Sequence, residues 1–105
     1  MHDWRVDPRK IIDYLLSATS DAGAAKNRFF RAVGFMPDAW DVMRDALVAH
    51  PLTANRREID TASPYGTKHV FRCRLTTPDR SDPCILTVWQ YRHGDYWLVT
   101  AYPFA

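Results

Sequence analysis

The second half of the chain contains three runs of β-forming residues separated by short turn sequences. The runs are YGTKHVFRCRL at residues 65–75, CILTVWQYR at Cys84–Arg92 and YWLVTAYP at residues 96–103. Each run is rich in β-branched and aromatic residues and is bounded by proline, aspartate or glycine. Connections this short join strands that run in opposite directions. The pattern therefore predicts a three-stranded antiparallel meander.

The register of these strands predicts which side chains share a face. If residues 92–95 form the second turn, Tyr91 lies opposite Tyr96 and Thr87 lies opposite Thr100. The other parity contains the aliphatic residues of the last two strands and is assigned to the core, with Phe71, Cys73, Leu75, Leu86, Val88, Val99 and Ala101. A slip of one residue would exchange the faces. The opposite face is the candidate site, with Lys68, Arg72, Arg74, Thr87, Trp89, Thr100 and Tyr102.

Cations, hydroxyls and aromatic rings on one face suit a polyanionic ligand. Guanidinium and ammonium groups bind phosphate, and Arg72 and Arg74 would stabilise charge that develops on a reacting phosphoryl group. The two threonine hydroxyls can hold a phosphate oxygen, Tyr102 can donate a proton, and a base can stack on Trp89. The alternative is a solvated face in which threonine and aromatic residues make ordinary cross-strand pairs.

The first half of the chain predicts three short helices, at about residues 8–17, 22–33 and 37–50. Asp7 as N-cap with Pro8 at the first helical position begins the first helix. Gly34 ends the second helix in a left-handed conformation, and His50-Pro51 ends the third. Apolar residues recur at helical spacing in all three: Ile11, Ile12, Leu15, Leu16, Phe29, Phe30, Val33, Trp40, Met43, Ala46 and Leu47.

The polar run at residues 55–61 predicts a fourth strand at the edge of the sheet. The predicted fold class is α+β, with three short N-terminal helices packed on one face of a roughly four-stranded antiparallel sheet. At 105 residues the chain is long enough for one core and is expected to form a single domain, residues 1–105.

Composition excludes several functional classes. The net charge is only +2, so bulk charge does not make the chain a polybasic nucleic-acid binder, although a local basic patch can bind RNA. Glu58 is the only glutamate, and no glycine-rich phosphate loop, serine nucleophile motif or metal-ligand spacing is present. We expect no cofactor and no metal. No signal peptide or membrane-length apolar run is found, so we expect a cytoplasmic site of action and no membrane partner.

The cysteines and histidines are weak candidates for chemistry. Cys73 and Cys84 are expected on neighbouring strands with matching parity, where a disulfide is conceivable but reduced thiols are favoured. His50 and His93, like His2, fit structural or solvated positions. His69 follows Lys68 and is a candidate catalytic residue, because imidazole exchanges protons near neutral pH. Strict alternation nevertheless turns its side chain toward the core side.

Several stretches resemble a small bacterial domain family of unknown function that is associated with polymorphic toxins. The resemblance spans residues 11–103 and is most specific at FFRxxGF (residues 29–35), TVW (87–89) and LVTAYP (98–103). More distantly, helices followed by an antiparallel sheet that ends in VTAYP are similar to the barnase, EndoU, colicin and RelE-type ribonuclease fold.

This resemblance implies RNA cleavage without a metal on the sheet face. It favours as functional residues Lys68, Arg72, Thr87, Thr100 and Tyr102. The sequence departs from the family pattern because it places no histidine on that face. The first hypothesis is therefore a toxin-like ribonuclease in which Tyr102 or His69 moves the proton. The second is a non-catalytic interaction or antitoxin-like accessory module, with aromatic residues as anchors. The expected partners are RNA, or a cognate immunity or antitoxin protein.

Overall fold

The computed structural model describes residues 3–16, 24–52, 57–63 and 66–103. The described chain forms a five-stranded sheet with helical segments packed against it. In order along the chain, the elements are β1 (Trp4–Arg5), α1 (Pro8–Lys10) continued by a π-helical turn (Ile11–Leu15), α2 (Ala24–Ala32), a 3₁₀ turn (Pro37–Ala39), α3 (Trp40–Ala49), a second 3₁₀ turn (His50–Leu52), β2 (Arg57–Ser63), β3 (Gly66–Arg74), β4 (Cys84–Arg92) and β5 (Asp95–Pro103).

The strands are ordered β1-β5-β4-β3-β2 across the sheet. Strands β2 to β5 are antiparallel neighbours, as the meander predicted, and β2 is an edge strand. The expectation of a purely antiparallel sheet is wrong, because β1 pairs with β5 in parallel, with Trp4 beside Tyr96 and Arg5 beside Trp97. A strand of two residues is too short to show the alternation of apolar and polar side chains from which a strand is predicted. Of the predicted polar strand, residues 55 and 56 lie outside the described residues.

The expected count of three regular helices is also wrong for the described residues. The capping of the first was predicted correctly, since the Asp7 side chain accepts a hydrogen bond from the Arg9 N–H and Pro8 occupies the first helical turn. After that single α-turn the backbone widens, and the Leu16 N–H donates to the carbonyl of Ile11 at 2.8 Å, five residues back. Two regular α-helices, α2 and α3, remain.

The core lies between the helices and one face of the sheet. Phe71 on β3 and Leu75, which directly follows β3, were predicted to face it and are 3% and 1% exposed. From the helical side it receives Ile11, Leu15, Phe30, Phe35, Met43 and Leu47. Among the residues predicted from the helical spacing, Ile12 is the exception, at 38% exposed. No helix among the described residues is long and apolar enough to cross a membrane.

Gly34 ends α2 in the way that the sequence predicted. Its φ is +107°, its N–H donates to the carbonyl of Arg31, and the Phe35 N–H donates to the carbonyl of Phe30. This pair of hydrogen bonds is the Schellman arrangement, which satisfies two carbonyls at the helix end. The loop between β3 and β4 then docks against the glycine, because a Cβ at Gly34 would lie 2.8 Å from Cβ of Pro78.

We expect Gly34→Ala to destabilise the protein more than Gly94→Ala. Both glycines have positive φ, +107° and +87°, so each alanine carries backbone strain of about 1–2 kcal/mol. Only the Gly34 substitution adds a clash, since nothing lies within 4 Å of a Cβ at Gly94. Overpacking typically costs about 1–3 kcal/mol, and urea denaturation of the two variants measures the difference. If the two variants lose the same free energy of unfolding, the loop that contains Pro78 moves away from residue 34 without an energetic cost.

Candidate functional site

The face of the sheet opposite the helices is the candidate site, and we call it the open face. Register defines it, because residues paired across neighbouring strands point the same way. Lys68 pairs with Gln90, which pairs with Trp97, which lies beside Arg5. Further along the strands, Arg72 pairs with Leu86, which pairs with Tyr102. The row between them contains Val70, Val88 and Thr100.

The open face is strongly cationic in the part of the chain that the structure describes. It contains five cationic side chains against two carboxylates, those of Asp3 and Asp95 beside Arg5: Arg5, Lys68, Arg72, Arg74 and Arg92. Arg5 pairs with the second carboxylate, with Nε 2.7 Å from Oδ2 of Asp95. Six residues of strand separate Lys68 from Arg74, so the cations of β3 extend over roughly 20 Å. The field they make suits an extended polyanion.

The floor of the open face is apolar and closed. Leu86 and Val88 in the central strand are 8% and 9% exposed, although they lie outside the core cluster on the helical side. Their predicted burial is confirmed, but the predicted side is wrong, because their register partners Arg72 and Val70 lie on the open face and not on the helical side. Charged and hydroxyl side chains therefore surround Leu86 and Val88, whose side chains are largely shielded from solvent.

Thr87 and Trp89 were predicted for the candidate site, and the structure places both on the other face. Thr87 pairs with Phe71 and Trp89 pairs with His69, and both side chains are 0% exposed. A one-residue irregularity contributes to the error. Trp89 pairs with Leu98 but Val88 pairs with Thr100, so Val99 is an extra residue in β5. This β-bulge reverses the parity of β5 and keeps Thr100 and Tyr102 on the open face.

A buried hydrogen-bond network explains why a threonine faces the helices. Nε2 of His50 lies 3.0 Å from the carbonyl oxygens of both Cys73 and Ile85, and Nδ1 lies 2.9 Å from Oγ1 of Thr87. Nε1 of Trp89 donates to the same hydroxyl at 2.9 Å. Carbonyls only accept, so Nε2 carries the proton, and Nδ1 accepts the threonine proton. A neutral imidazole thus satisfies every group in the network.

His50 is therefore a structural histidine, as the sequence indicated. It is 1% exposed, and burial lowers its pKa against two carbonyl hydrogen bonds that favour the protonated ring. Cys73 joins the network by donating its S–H to the carbonyl of His50 at 3.3 Å. Cys84 pairs with Arg74 on the open face, so the two cysteines point to opposite sides. The predicted matching parity is wrong, and neither cysteine forms a disulfide.

The His69 side chain lies on the helical side of the sheet, as alternation predicted, whereas the side chain of Lys68 lies on the open face. His69 pairs with Trp89, and its ring meets the ring of Tyr96 edge to face at 5.2 Å. Of the four predicted catalytic residues, the structure brings Lys68, Arg72 and Tyr102 together on the open face and separates His69 from them. Tyr102 is 38% exposed there.

Five polar or aromatic residues of the open face were not predicted from the sequence: Arg5, Gln90, Arg92, Asp95 and Trp97. Trp97 follows from the predicted pairing of Tyr91 with Tyr96, since the next pair is then Gln90 with Trp97, but that parity was assigned to the core. Arg92 has the same parity as Gln90. No signal identifies Arg5, because it lies in a two-residue strand. Within the described residues, no group of three or more His, Cys, Asp or Glu side chains is placed to hold a metal ion.

The fold and the open face define a small α+β domain with a cationic sheet surface. The chain belongs to a family of unknown function: the family model described as "Domain of unknown function (DUF6883)" matches residues 1–105. Membership of such a family was expected from the sequence and is confirmed. No curated protein matches the chain.

The chain also shares its fold with a solved structure. A chain of the contact-dependent growth inhibition toxin - immunity protein complex from Klebsiella pneumoniae 342 superposes with a TM-score of 0.76. The match covers 95% of this chain and 92% of that chain at 17% sequence identity. At this identity the likeness concerns the backbone arrangement, and the resemblance to ribonucleases stays a prediction.

We expect stability to fall at acid pH because of His50. Its pKa is lower in the folded than in the unfolded chain, so the unfolded chain takes up a proton first as the pH falls below about 6.5. The stabilisation is complete above that pH and is lost as the pH falls toward the pKa of the folded state. One such proton changes the free energy of unfolding by up to about 1.4 kcal/mol per pH unit.

Urea denaturation between pH 7.5 and 5 measures this slope. His50→Gln is expected to be less stable at every pH, because it cannot reproduce the network, but to show a shallower slope. The matched control is His93→Gln, since His93 is an exposed turn residue. A slope that is the same in wild type and His50→Gln would contradict the assignment.

Proposed function

We propose that this domain is a toxin-type module that binds RNA on the open face and cleaves it without a metal. The observation that carries the proposal is the convergence of Arg5, Lys68, Arg72, Arg74 and Arg92 on one face. A local patch of this density can attract a polyanion even though the net charge of the chain is only +2. The reason is that cations within one or two Debye lengths of each other act together on a polyanion. Arginine also offers forked donors that match phosphate oxygens.

The proposed reaction is a transesterification within the RNA strand. The 2′-hydroxyl oxygen attacks the adjacent phosphorus and loses its proton to solvent, and the bond from phosphorus to the 5′-oxygen breaks. Tyr102 donates its proton to that leaving oxygen and is reprotonated by water, which gives a 2′,3′-cyclic phosphate and a 5′-hydroxyl. Arg72, in the same row, stabilises the charge on the phosphorane oxygens with Arg74. Thr100 contributes a hydroxyl to the same face.

The fold supports a role in a toxin system. The similar chain comes from a toxin and immunity protein complex, so an immunity protein is the partner that we propose for this domain. Such a partner would cover the cationic face in the producing cell, and the RNA substrate would be met in the cytoplasm of another cell. His69 is left out of the proposed chemistry because it lies on the helical side.

A second candidate function is an immunity-type or accessory interaction module. The similar chain is described only as part of a complex of two proteins, and this domain has an apolar hollow of about 400 Å³ away from the open face. Val42, Ala46 and Ala49 of α3 line it together with Pro78. Val42 is 47% exposed, so a partner can reach its side chain.

Incubation of purified protein with total RNA in EDTA tests the first function. We expect cleavage that leaves cyclic phosphate ends. Lys68→Ala/Arg72→Ala should reduce the rate at least about 100-fold, because Arg72 is proposed to stabilise the charge that develops in the transition state and Lys68 to bind the same RNA strand. Tyr102→Phe should slow the chemical step by about 100-fold or more with little change in RNA binding, as expected for a proton donor.

The control removes two exposed cations elsewhere. Arg28→Ala/Arg80→Ala lowers the net charge by the same amount, from a helix surface and a loop, and should cleave as wild type. RNA that stays intact after prolonged incubation at micromolar wild-type protein would remove the catalytic proposal. Equal losses in the two double variants would show that only bulk charge matters.

The second function predicts a stable complex with a protein encoded beside this chain. Val42→Glu should then weaken the complex about tenfold or more, because it places a charge in an apolar interface. Met36→Glu is the matched control, since Met36 is 49% exposed and does not line the hollow. Size-exclusion chromatography and calorimetry of the two variants make the measurement. A complex that depends on Lys68 and Arg72 instead would assign the partner to the open face.

A further inference from the structure

Trp97 is the tryptophan that the open face presents to solvent. It is half-buried, between Gln90 of β4 on one side and Arg5 of β1 on the other. The guanidinium carbons of Arg5 and Arg92 lie 5.9 Å and 5.4 Å from the centre of its ring. These cations come from β1 and β4, the two strands that flank β5, so each neighbouring strand places one guanidinium near the indole. Cation–π contacts at this range stabilise such an arrangement.

Arg5 is fixed in place by carboxylates. Its Nε donates to Oδ2 of Asp95 at 2.7 Å, and its Nη2 lies 3.3 Å from Oδ2 of Asp3. The backbone N–H of Asp3 donates to the other oxygen of Asp95 at 3.2 Å. Asp95 also raises the pKa of Arg5. A platform whose parts are already positioned loses less entropy when a ligand is added.

A hollow of about 330 Å³ opens beside this platform. Its lining combines an aromatic ring, two cations, an amide and a carboxylate with the segment of β5 that contains the β-bulge. The lining residues are Asp7, Lys10, Gln90, Arg92, Trp97, Leu98 and Val99. A second hollow of about 480 Å³ also borders Trp97 and is lined in part by Trp4, Arg44 and Val48. The smaller hollow is at the lower end of the range for ligand sites, which fits one nucleotide.

We propose that this hollow, with Trp97 as its platform, is a subsite for one nucleotide of the RNA strand that the open face binds. The inference rests on the proposed RNA function and adds a position at which a base, and not only phosphate, is recognised. The base stacks on the layered surface of Trp97 and Arg92, and Lys10 neutralises the adjoining phosphate. Gln90 lies in the row between Trp97 and Lys68, where its amide reaches the edge of a stacked base.

The subsite is offset from the proposed cleavage position. Arg72 is four residues along β3 from Lys68, the residue in the same row as Trp97, which corresponds to roughly 13 Å. A short oligonucleotide along the sheet therefore reaches both. Substitutions at Trp97 should consequently change which sequence is cut and how tightly it binds, with the reacting groups left intact.

Binding of a fluorescein-labelled 2′-O-methyl hexanucleotide tests the subsite without cleavage. Anisotropy titrations at fixed salt should show Trp97→Leu binding about 5- to 150-fold more weakly than wild type, since stacking of one base contributes about 1–3 kcal/mol. The same titrations with an abasic residue at each position in turn locate the base. At one position the abasic substitution should weaken binding by the wild type by the same factor. At that position it should not weaken binding by Trp97→Leu any further.

Tyr91→Leu is the matched control, because Tyr91 is a 45% exposed aromatic residue of β4 that points to the helical side. It should bind as wild type. Salt titrations separate stacking from charge: Trp97→Leu should keep the wild-type salt slope, whereas Lys10→Ala should make it shallower. Trp97→Phe, which keeps a ring, should retain part of the affinity and remains informative if Trp97→Leu fails to fold.

The outcomes separate the subsite from the function on which it rests. If wild type binds and Arg72→Ala weakens binding while Trp97→Leu and Trp97→Phe do not, the subsite is wrong and RNA binding stands. The subsite is also wrong if Trp97→Leu weakens every abasic oligonucleotide as much as the intact one. If wild type does not bind the oligonucleotide at all, the RNA function itself fails.

Discussion

The hydrogen bond between His50 and Thr87 decides which face of β4 meets the helices. His50 ends the helical half of the chain, and its ring reaches through the core to a hydroxyl in the central strand. An unpaired hydroxyl or imidazole in this position would cost about 1–3 kcal/mol for each group, so the alternative register is penalised. With Thr87 turned inward, Leu86 and Val88 turn outward, and the cations of β3 share their face.

Much of the fold is predictable because its signals are local. The cap at Asp7, the glycine that ends α2 and the apolar residues of α3 each depend on a few adjacent residues. The same holds for the turn that pairs Tyr91 with Tyr96. Inward orientation of Phe71 and Leu75 was also predicted, because residues 71–75 alternate between apolar side chains and arginine.

The orientation of β4 was not predictable from its own residues. Its five residues from Ile85 to Trp89 are all buried, so apolar side chains lie on both faces and alternation gives no direction. Hydrophobicity favoured the aliphatic face for the core, whereas the structure selects the face that contains Thr87 and Trp89. The choice depends on a partner 37 residues away in sequence. The bulge at Val99 adds a second parity change that no local pattern marks.

These two errors account for the exchange of tryptophans at the candidate site. Trp89 was expected to offer a stacking surface, but it is fully buried and donates to Thr87. Trp97, on the neighbouring strand, is half-buried and has the guanidinium neighbours. The predicted chemistry of the face, cations beside hydroxyls and an aromatic ring, is thus retained with different residues supplying the ring.

The core on the helical side and the charges of the open face contribute to stability by different amounts. Two cations at alternate positions of β3 lie roughly 7 Å apart, and in water their repulsion is about 0.6 kcal/mol before salt screens it. Burial of one large apolar side chain contributes about 1.5–3 kcal/mol, so the core outweighs the repulsion between such neighbours. The open face can therefore change its charges and rings while the fold persists. A protein that is 17% identical with a TM-score of 0.76 fits this conclusion, because the backbone arrangement is kept while most side chains differ.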